Sequence, residues 1–348
     1  NLTCQFISYD SVANTDTTNV TRFIFQIYRQ FYVYFVIIFG PINIFANMLS
    51  MFVLTRKELR STYNYLFFAM TLDHTIVVVF LVATVTRSSF TSNCDPNNNT
   101  LLLAIFNIVA SNAMDIFRAH SSWVAVMIAT LRYVMIRKRR QLDYNFRMIF
   151  LICLISFTLL LIASTPVFLS TSIQWRPMTE VCRRRNTTNL VGLIVPVVRE
   201  SEWVYHHDCL LLRVTYFISG TLYNGVPCLL LFVLSILLLR HLQLIRKEFV
   251  SASKKTNDQS GADDRVTKMM AVILITTIIS QMPHTVLNIL VAFLPNGFRA
   301  NIVDRLSNII MTIMLVTSAC NLFVYLSMSQ KFREVYSAIK FSFLCMGK

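Results

Sequence analysis

Charge is what this sequence has least of. Only 14% of its 348 residues are Asp, Glu, Lys or Arg, against 55% hydrophobic ones, and the mean hydropathy is +0.56. Soluble domains carry roughly 25% charged and about 45–50% apolar residues. The chain therefore has too little polar surface to clothe a water-soluble fold of its length, and the same poverty excludes intrinsic disorder. Glycine is scarce, with 7 residues, which excludes collagen-like repeats and Gly-rich linkers. Enzyme signatures are missing as well: there is no HExxH, no GxSxG, no phosphate-binding glycine loop and no pair of aspartates poised across two apolar runs. His206-His207 has no second ligand cluster beside it and reads as surface histidine, so no metal and no cofactor is expected. Acidic residues number 17 against 32 basic ones. No aromatic-basic platform accompanies that excess, so nucleic acid is not the expected partner.

What the chain does have is long apolar runs. A bilayer core of about 30 Å needs about 20 mostly apolar residues per helix, and seven stretches qualify: 31–54, 65–86, 101–136, 148–170, 214–239, 269–294 and 306–328. A membrane barrel would alternate polar and apolar residues instead of staying apolar for twenty. The expected fold is an all-α integral membrane bundle of seven helices over 31–328, with an N-terminal tail over 1–30 and a terminal segment over 329–348. No signal peptide is visible in what is present.

Two independent counts orient the spans. With the N-terminus outside, the inner segments hold 19 Lys and Arg and the outer ones 11, as the positive-inside rule requires. All four glycosylation sequons, at Asn1, Asn19, Asn98 and Asn186, then fall outside. Cys4, Cys94, Cys182 and Cys209 fall outside too, an even number in an oxidising compartment with three possible pairings. Cys153, Cys228 and Cys320 lie within spans and read as small buried apolar residues.

The outer segment 171–213 is longer than a helix connection needs. Its β-branched run Leu190–Val198 predicts a strand or short β-hairpin lying over the mouth of the bundle. The inner segment 251–266 is polar and aperiodic and predicts a mobile loop. Basic runs at inner span ends, such as Arg137-Lys-Arg-Arg140, suit anionic lipid headgroups. Beyond the last span, Phe332, Val335, Tyr336, Ile339 and Phe343 recur at helical spacing among charged residues. They predict an amphipathic helix on the inner membrane surface, with Cys345 as a palmitoylation candidate.

Ionisable residues inside spans are costly and are functional candidates by default. They are Asp73 and His74 in the second span and Asp115, Arg118, His120 and Arg132 in the third. Asp115 and Arg118 stand three apart on one helix face, as a neutralising pair or as a lining of a ligand cavity. Pro166, Pro227 and Pro283 interrupt the fourth to sixth spans, where proline frees carbonyls and bends a helix.

These features resemble the rhodopsin-like G-protein-coupled receptors from about Phe31 to Cys345. Asn47 matches the first-span asparagine, Arg132-Tyr133 the end of the Asp-Arg-Tyr motif, Pro227 and Pro283 the two span prolines, and Asn321-Leu-Phe-Val-Tyr325 the Asn-Pro-x-x-Tyr motif. Departures are Leu131 for the acid, Leu322 for the proline and Gln281 for the usual sixth-span tryptophan. Asp73 lies nine positions after Asn64, where ten is usual, so either Asp73 or His74 takes the sodium-site position. More narrowly, Thr55-Arg-Lys-Glu-Leu-Arg60, Ser122-Trp-Val-Ala-Val-Met127, Thr130-Leu-Arg132 and Met328-Ser-Gln-Lys-Phe-Arg333 resemble the nematode Srw-type receptors. Those in turn resemble the FMRFamide, myosuppressin and sex-peptide receptors.

The resemblance implies a bridge from Cys94 to Cys182, leaving Cys4 and Cys209 as candidates for a second. It implies a plasma-membrane receptor that is not an enzyme, binds an extracellular ligand and activates a heterotrimeric G protein. The ligand expected is a short FMRFamide-like neuropeptide, with a small environmental molecule as the alternative and a seven-span channel or transporter as the different-class one. Asp115, Arg118, Glu200, Glu202, Gln281 and His284 are the expected ligand contacts. Arg132, Tyr133, Pro227, Pro283, Asn321 and Tyr325 are the expected coupling residues, and Asn47, Asp73 and His74 the polar core.

Overall fold

The computed structural model describes residues 15–59, 61–91, 94–95, 98–138, 145–182, 192–205, 210–251, 257–293, 304–328 and 332–338. Cys4, Cys209, Asn1, Asn186, Ile339, Phe343 and Cys345, and the side chain of Asn19, lie outside the described residues. Among those described, seven helices are long and apolar enough to cross a membrane.

The first is α1 (Thr15–Leu54), a helix that contains Pro41 and begins well before the apolar run at Phe31. Its two faces show how the fold is organised. Phe31, Tyr34, Ile38, Ile42 and Phe45 are exposed at helical spacing, while Asn43, Asn47 and Ser50 are buried. Apolar side chains thus face where lipid would be, and the polar ones face the neighbouring helices, where partners satisfy them.

A short 3-10 turn (Lys57–Leu59) leads to α2 (Thr62–Phe90), and α3 (Leu101–Lys138) returns against it. The expected fourth span is divided. α4 (Phe146–Ala163) ends at Ser164, and a single further turn, α5 (Thr165–Leu169), restarts with Pro166 near its first position, where the missing N–H is not needed. The fifth span is α7 (Leu210–Ile218), a π-helical segment (Ser219–Gly225) and α8 (Val226–Ser251). Pro227 is the second residue of α8. The wider turn frees the carbonyl of Leu222, which accepts a hydrogen bond from the Trp123 indole of α3 at 3.2 Å.

α9 (Asn257–Phe293) contains Pro283, and α10 (Asp304–Met328) closes the bundle against α1 and α9. The helix of α9 corrects one expectation, since 257–266 continues it instead of forming a mobile loop. Helix propagation is cheap once a turn exists, and a polar stretch without proline extends a nucleated span readily. Residues 252–256 lie outside the described set.

At one end of the bundle β1 (Thr171–Pro177) pairs antiparallel with β2 (Ile194–Glu200), Thr171 opposite Glu200 and Pro177 opposite Ile194. The hairpin was expected. Its second strand sits a few residues later than the run Leu190–Val198, and its first strand alternates Ile173 and Trp175 with Ser172, Gln174 and Arg176, a short pattern the sequence reading did not use. A one-turn helix α6 (Met178–Val181) brings Cys182 to Cys94, where the two form a disulfide with Cα atoms 4.9 Å apart. Both strands pack on α3.

At the far end, Phe67, Ile128, Leu238, Ile273, Leu274 and Tyr325 join one buried cluster. Residues 332–338 form a short helix whose Phe332 is buried under Tyr325, ring centroids 5.5 Å apart, with Arg333 and Glu334 exposed. The Arg333 guanidinium donates to the carbonyls of Ser327 at 2.8 Å and Leu326 at 3.3 Å, groups the last turn of α10 leaves unpaired. The expected amphipathic helix exists over this stretch, and its apolar face meets the bundle.

Candidate functional site

Three polar seams cross the apolar bundle. The first joins α3, the π segment and α9. The Arg118 guanidinium donates to the Asp115 carboxylate at 2.5 Å, with Arg118 buried and the Asp115 side chain 37% exposed. The pair therefore neutralises itself, while Asp115 keeps an exposed edge.

On α9, Gln281, His284, Thr285 and Asn288 recur at helical spacing. The amide nitrogens of Asn224 and Asn288 both lie on His284 Nδ1, at 3.3 and 3.2 Å. That nitrogen accepts, and the ring proton sits on Nε2. Asn224 also donates to the Ser219 carbonyl, and Asn288 to the Ser219 hydroxyl. The close approach needs Gly220, because a Cβ there would lie 2.9 Å from the Ile289 nitrogen. Arg118 Nη1, Asn224 Oδ1 and Gln281 Oε1 are buried without a hydrogen-bond partner, which marks polar capacity the protein itself leaves unused.

Asn224, Asn288 and Ser219 were not singled out from the sequence. The signal was present: polar residues at 281, 284, 285 and 288 on one face of an apolar span. Glu200 and Glu202 stand apart from this seam, at the end of β2 and, exposed, at the start of the 3-10 turn Glu202–Tyr205.

The second seam joins α1, α2 and α10. Asn47 Nδ2 donates to Asn43 Oδ1 and to Ser318 Oγ, both at 3.1 Å, and Asn43 donates to the Leu315 carbonyl. His74 Nδ1 lies 3.4 Å from the amide of Asn321. Between the two adjacent second-span residues, His74 is the one turned toward Asn321.

Asp73 points the other way and builds the third seam. Its Oδ2 lies 2.7 Å from His120 Nδ1, and His120 Nε2 lies 3.1 Å from the Cys153 carbonyl, so α2, α3 and α4 meet there. The sequence supplied both residues as candidates without pairing them.

At the far end Arg132 is 8% exposed, with Tyr133 half-buried beside the core and Tyr325 between Phe67 and Phe332, whereas Pro283 lies next to His284 inside α9.

The disulfide closes the hairpin end. Cross-linking residues 88 apart typically stabilises by about 2–4 kcal/mol. Replacing Cys94 or Cys182 with Ser is expected to lower surface expression to a similar degree, and replacing both to cost little more. Flow cytometry on intact cells reads this, and additive losses would mean that the two thiols act separately.

Seven membrane-length helices among the described residues, polar seams between them, a hairpin packed on the third helix and an enclosed arginine at the opposite end make a seven-transmembrane bundle. The chain belongs to the serpentine type 7TM GPCR chemoreceptor Srw family, whose sequence pattern matches residues 32–342. It is thus a G-protein-coupled receptor and a membrane protein, not an enzyme or a channel. It is 24% identical to the G-protein coupled receptor dmsr-1 of Caenorhabditis elegans, over 91% of this chain and 69% of that protein. It is equally identical to two Drosophila melanogaster proteins. The sex peptide receptor matches over 86% of this chain and 69% of its own length, and the FMRFamide receptor over 97% and 60%. The crystal structure of squid rhodopsin superposes with a TM-score of 0.63 over 92% of this chain and 87% of rhodopsin, at 16% identity, which speaks to the fold.

Proposed function

We propose that the chain is a plasma-membrane receptor for a short neuropeptide, with its N-terminus and hairpin outside and Arg132 at the cytoplasmic end. The carrying observation is that two of the relatives are named as peptide receptors, for sex peptide and for FMRFamide. The first polar seam suits such a ligand. A peptide presents donors and acceptors together, and Arg118 Nη1, Asn224 Oδ1 and Gln281 Oε1 offer one unused donor and two unused acceptors. Glu200 and Glu202 on the hairpin side favour a basic peptide. The Lys and Arg bias and the sequons at Asn1, Asn19, Asn98 and Asn186 support the orientation. Basic residues at the inner span ends suit anionic lipid, and Cys345 suits a lipid anchor. Tyr133, Pro227, Pro283, Asn321 and Tyr325 accompany Arg132 in coupling, while Asn47 and His74 belong to one polar seam and Asp73 to another with His120.

The family's description as chemoreceptors favours a second reading, a small environmental ligand. A screen of synthetic peptides and volatile or water-soluble small molecules, read as G-protein activation in transfected cells, separates the two. Activation by a peptide at submicromolar concentration is expected. Activation by small molecules alone, with every peptide silent, would sink the neuropeptide reading.

A further inference from the structure

Arg132 has no acidic neighbour before it, since residue 131 is Leu, yet a guanidinium enclosed in protein needs a favourable environment. The structure offers one on α2. The Arg132 Cζ lies 5.9 Å from the centroid of the Tyr63 ring, within reach of the attraction between a cation and an aromatic face. The Tyr63 hydroxyl donates to the sulfur of Met135, three residues beyond Arg132 on the same face of α3. One side chain thus touches successive turns at this end of the third helix.

The ring is held in place by local structure. Tyr63 is the second residue of α2, and Ser61 caps that helix, its hydroxyl accepting from the Asn64 N–H at 3.3 Å. The Asn64 side chain then donates to the Leu59 carbonyl and ties the first turn of α2 to the preceding 3-10 turn. Tyr63 also packs against the buried cluster that contains Ile128, Ile273 and Leu274. Ile273 and Leu274, on the half of α9 before Pro283, are 1% exposed. The conformation in which the ring faces Arg132 is therefore one in which α9 is closed and the arginine is withdrawn from any partner beyond the bundle.

We propose that Tyr63 is a positioning residue that holds Arg132 in this enclosed, uncoupled conformation, its ring serving where an acidic residue at 131 would otherwise act. The proposal rests on Arg132 being the coupling residue, and it does not require Tyr63 to be the arginine's sole contact. A ring holds a guanidinium less firmly than a buried carboxylate does, so the hold is real but readily released. Loss of the ring is expected to shift the resting equilibrium about 3- to 30-fold toward the coupled form.

The test needs no ligand. Wild type, Tyr63→Phe, Tyr63→Leu, Tyr63→Met and Tyr63→Leu with Arg132→Ala are expressed at matched surface levels, and basal activation is read across a panel of Gα subunits. The leucine variant should raise basal activation about 3- to 30-fold. The phenylalanine variant keeps the ring and loses only the contact to Met135, so it should stay near wild type. Should the leucine variant not reach the surface, the methionine variant removes the ring while keeping side-chain bulk, and the same rise is expected. Basal activity no higher than wild type in the ring-free variants, silence in both included, would overturn the proposal. A phenylalanine variant as active as the leucine one would also overturn it, by placing the effect in the hydroxyl contact. If the double variant stays as active as Tyr63→Leu, the reading of Arg132 itself fails, and the two failures are thereby told apart.

Discussion

Arg132→Ala is expected to abolish ligand-stimulated G-protein activation while leaving ligand affinity, measured without G protein, within about twofold of wild type. The reasoning begins with the guanidinium, which stays charged in any protein environment and offers five donors in a fixed fork. Arg132 lies near the far end of α3, on the other side of the apolar core from the polar seam of Arg118, Asn224 and His284. Its removal therefore leaves the proposed ligand contacts in place. At 8% exposure it is enclosed, and Ile273 and Leu274 of α9 lie in the buried cluster that its neighbours Leu131 and Tyr133 pack against. On the proposed reading, coupling moves that half of α9, and Pro283, which lacks an N–H for the helical ladder, is the point about which it swings. A ligand need only bind the opened conformation better than the closed one to drive this. Radioligand binding on G-protein-free membranes and nucleotide exchange on purified G protein separate the two quantities. Normal exchange by the alanine variant would reduce Arg132 to an interfacial charge.

The amount of this legible from sequence follows from the physics of the membrane. Runs such as Met148–Ser170 are long and uncharged because lipid permits little else, so the seven spans were readable to within a few residues at most ends. Where backbone and solvent trade on nearly equal terms, reading failed. The start of α1 at Thr15 and the helix over 257–266 are polar extensions of spans, and no periodicity distinguishes them from loop. The division at Ser164 falls where Pro166 was expected to interrupt the fourth span, whereas the π segment at Ser219–Gly225 goes with how neighbouring helices pack, Gly220 against Ile289 and Trp123 on the Leu222 carbonyl.

The site divided in the same way. Asp115 and Arg118 were paired in advance because three residues along a helix fix their distance. The partners Asp73 and His120, or Asn224 and His284, lie on different helices, and nothing in one sequence states which faces meet. The choice between Asp73 and His74 turned on helix rotation alone, and His74 is the one that faces Asn321.

That rotation gives Asp73 a different task, with an effect on stability. The Cys153 carbonyl only accepts, so His120 Nε2 carries a proton and donates to it at 3.1 Å. At 2.7 Å, a single further proton lies between His120 Nδ1 and Asp73 Oδ2. Whichever atom holds it, the pair is neutral as a unit, which is what a buried site in a membrane demands. The pair also matters to α4, whose fully buried residues are only Ile149 and Leu160, so the hydrogen bond to Cys153 and the edge-on packing of Phe157 against His120, 5.5 Å between centroids, hold that helix to α3. Removing one member of a buried, hydrogen-bonded pair and stranding the other costs about 3–5 kcal/mol, whereas removing both often costs far less. Asp73→Ala and His120→Ala should each sharply lower the thermal midpoint of the detergent-solubilised receptor. The double variant should be less damaged than the sum of the two, with a coupling of about 1–3 kcal/mol. Strictly additive losses would show that the two side chains do not act as one unit. A double variant that recovers its midpoint and still activates G protein would place the pair in the scaffold of the receptor, with signalling left to the face of α2 that carries His74.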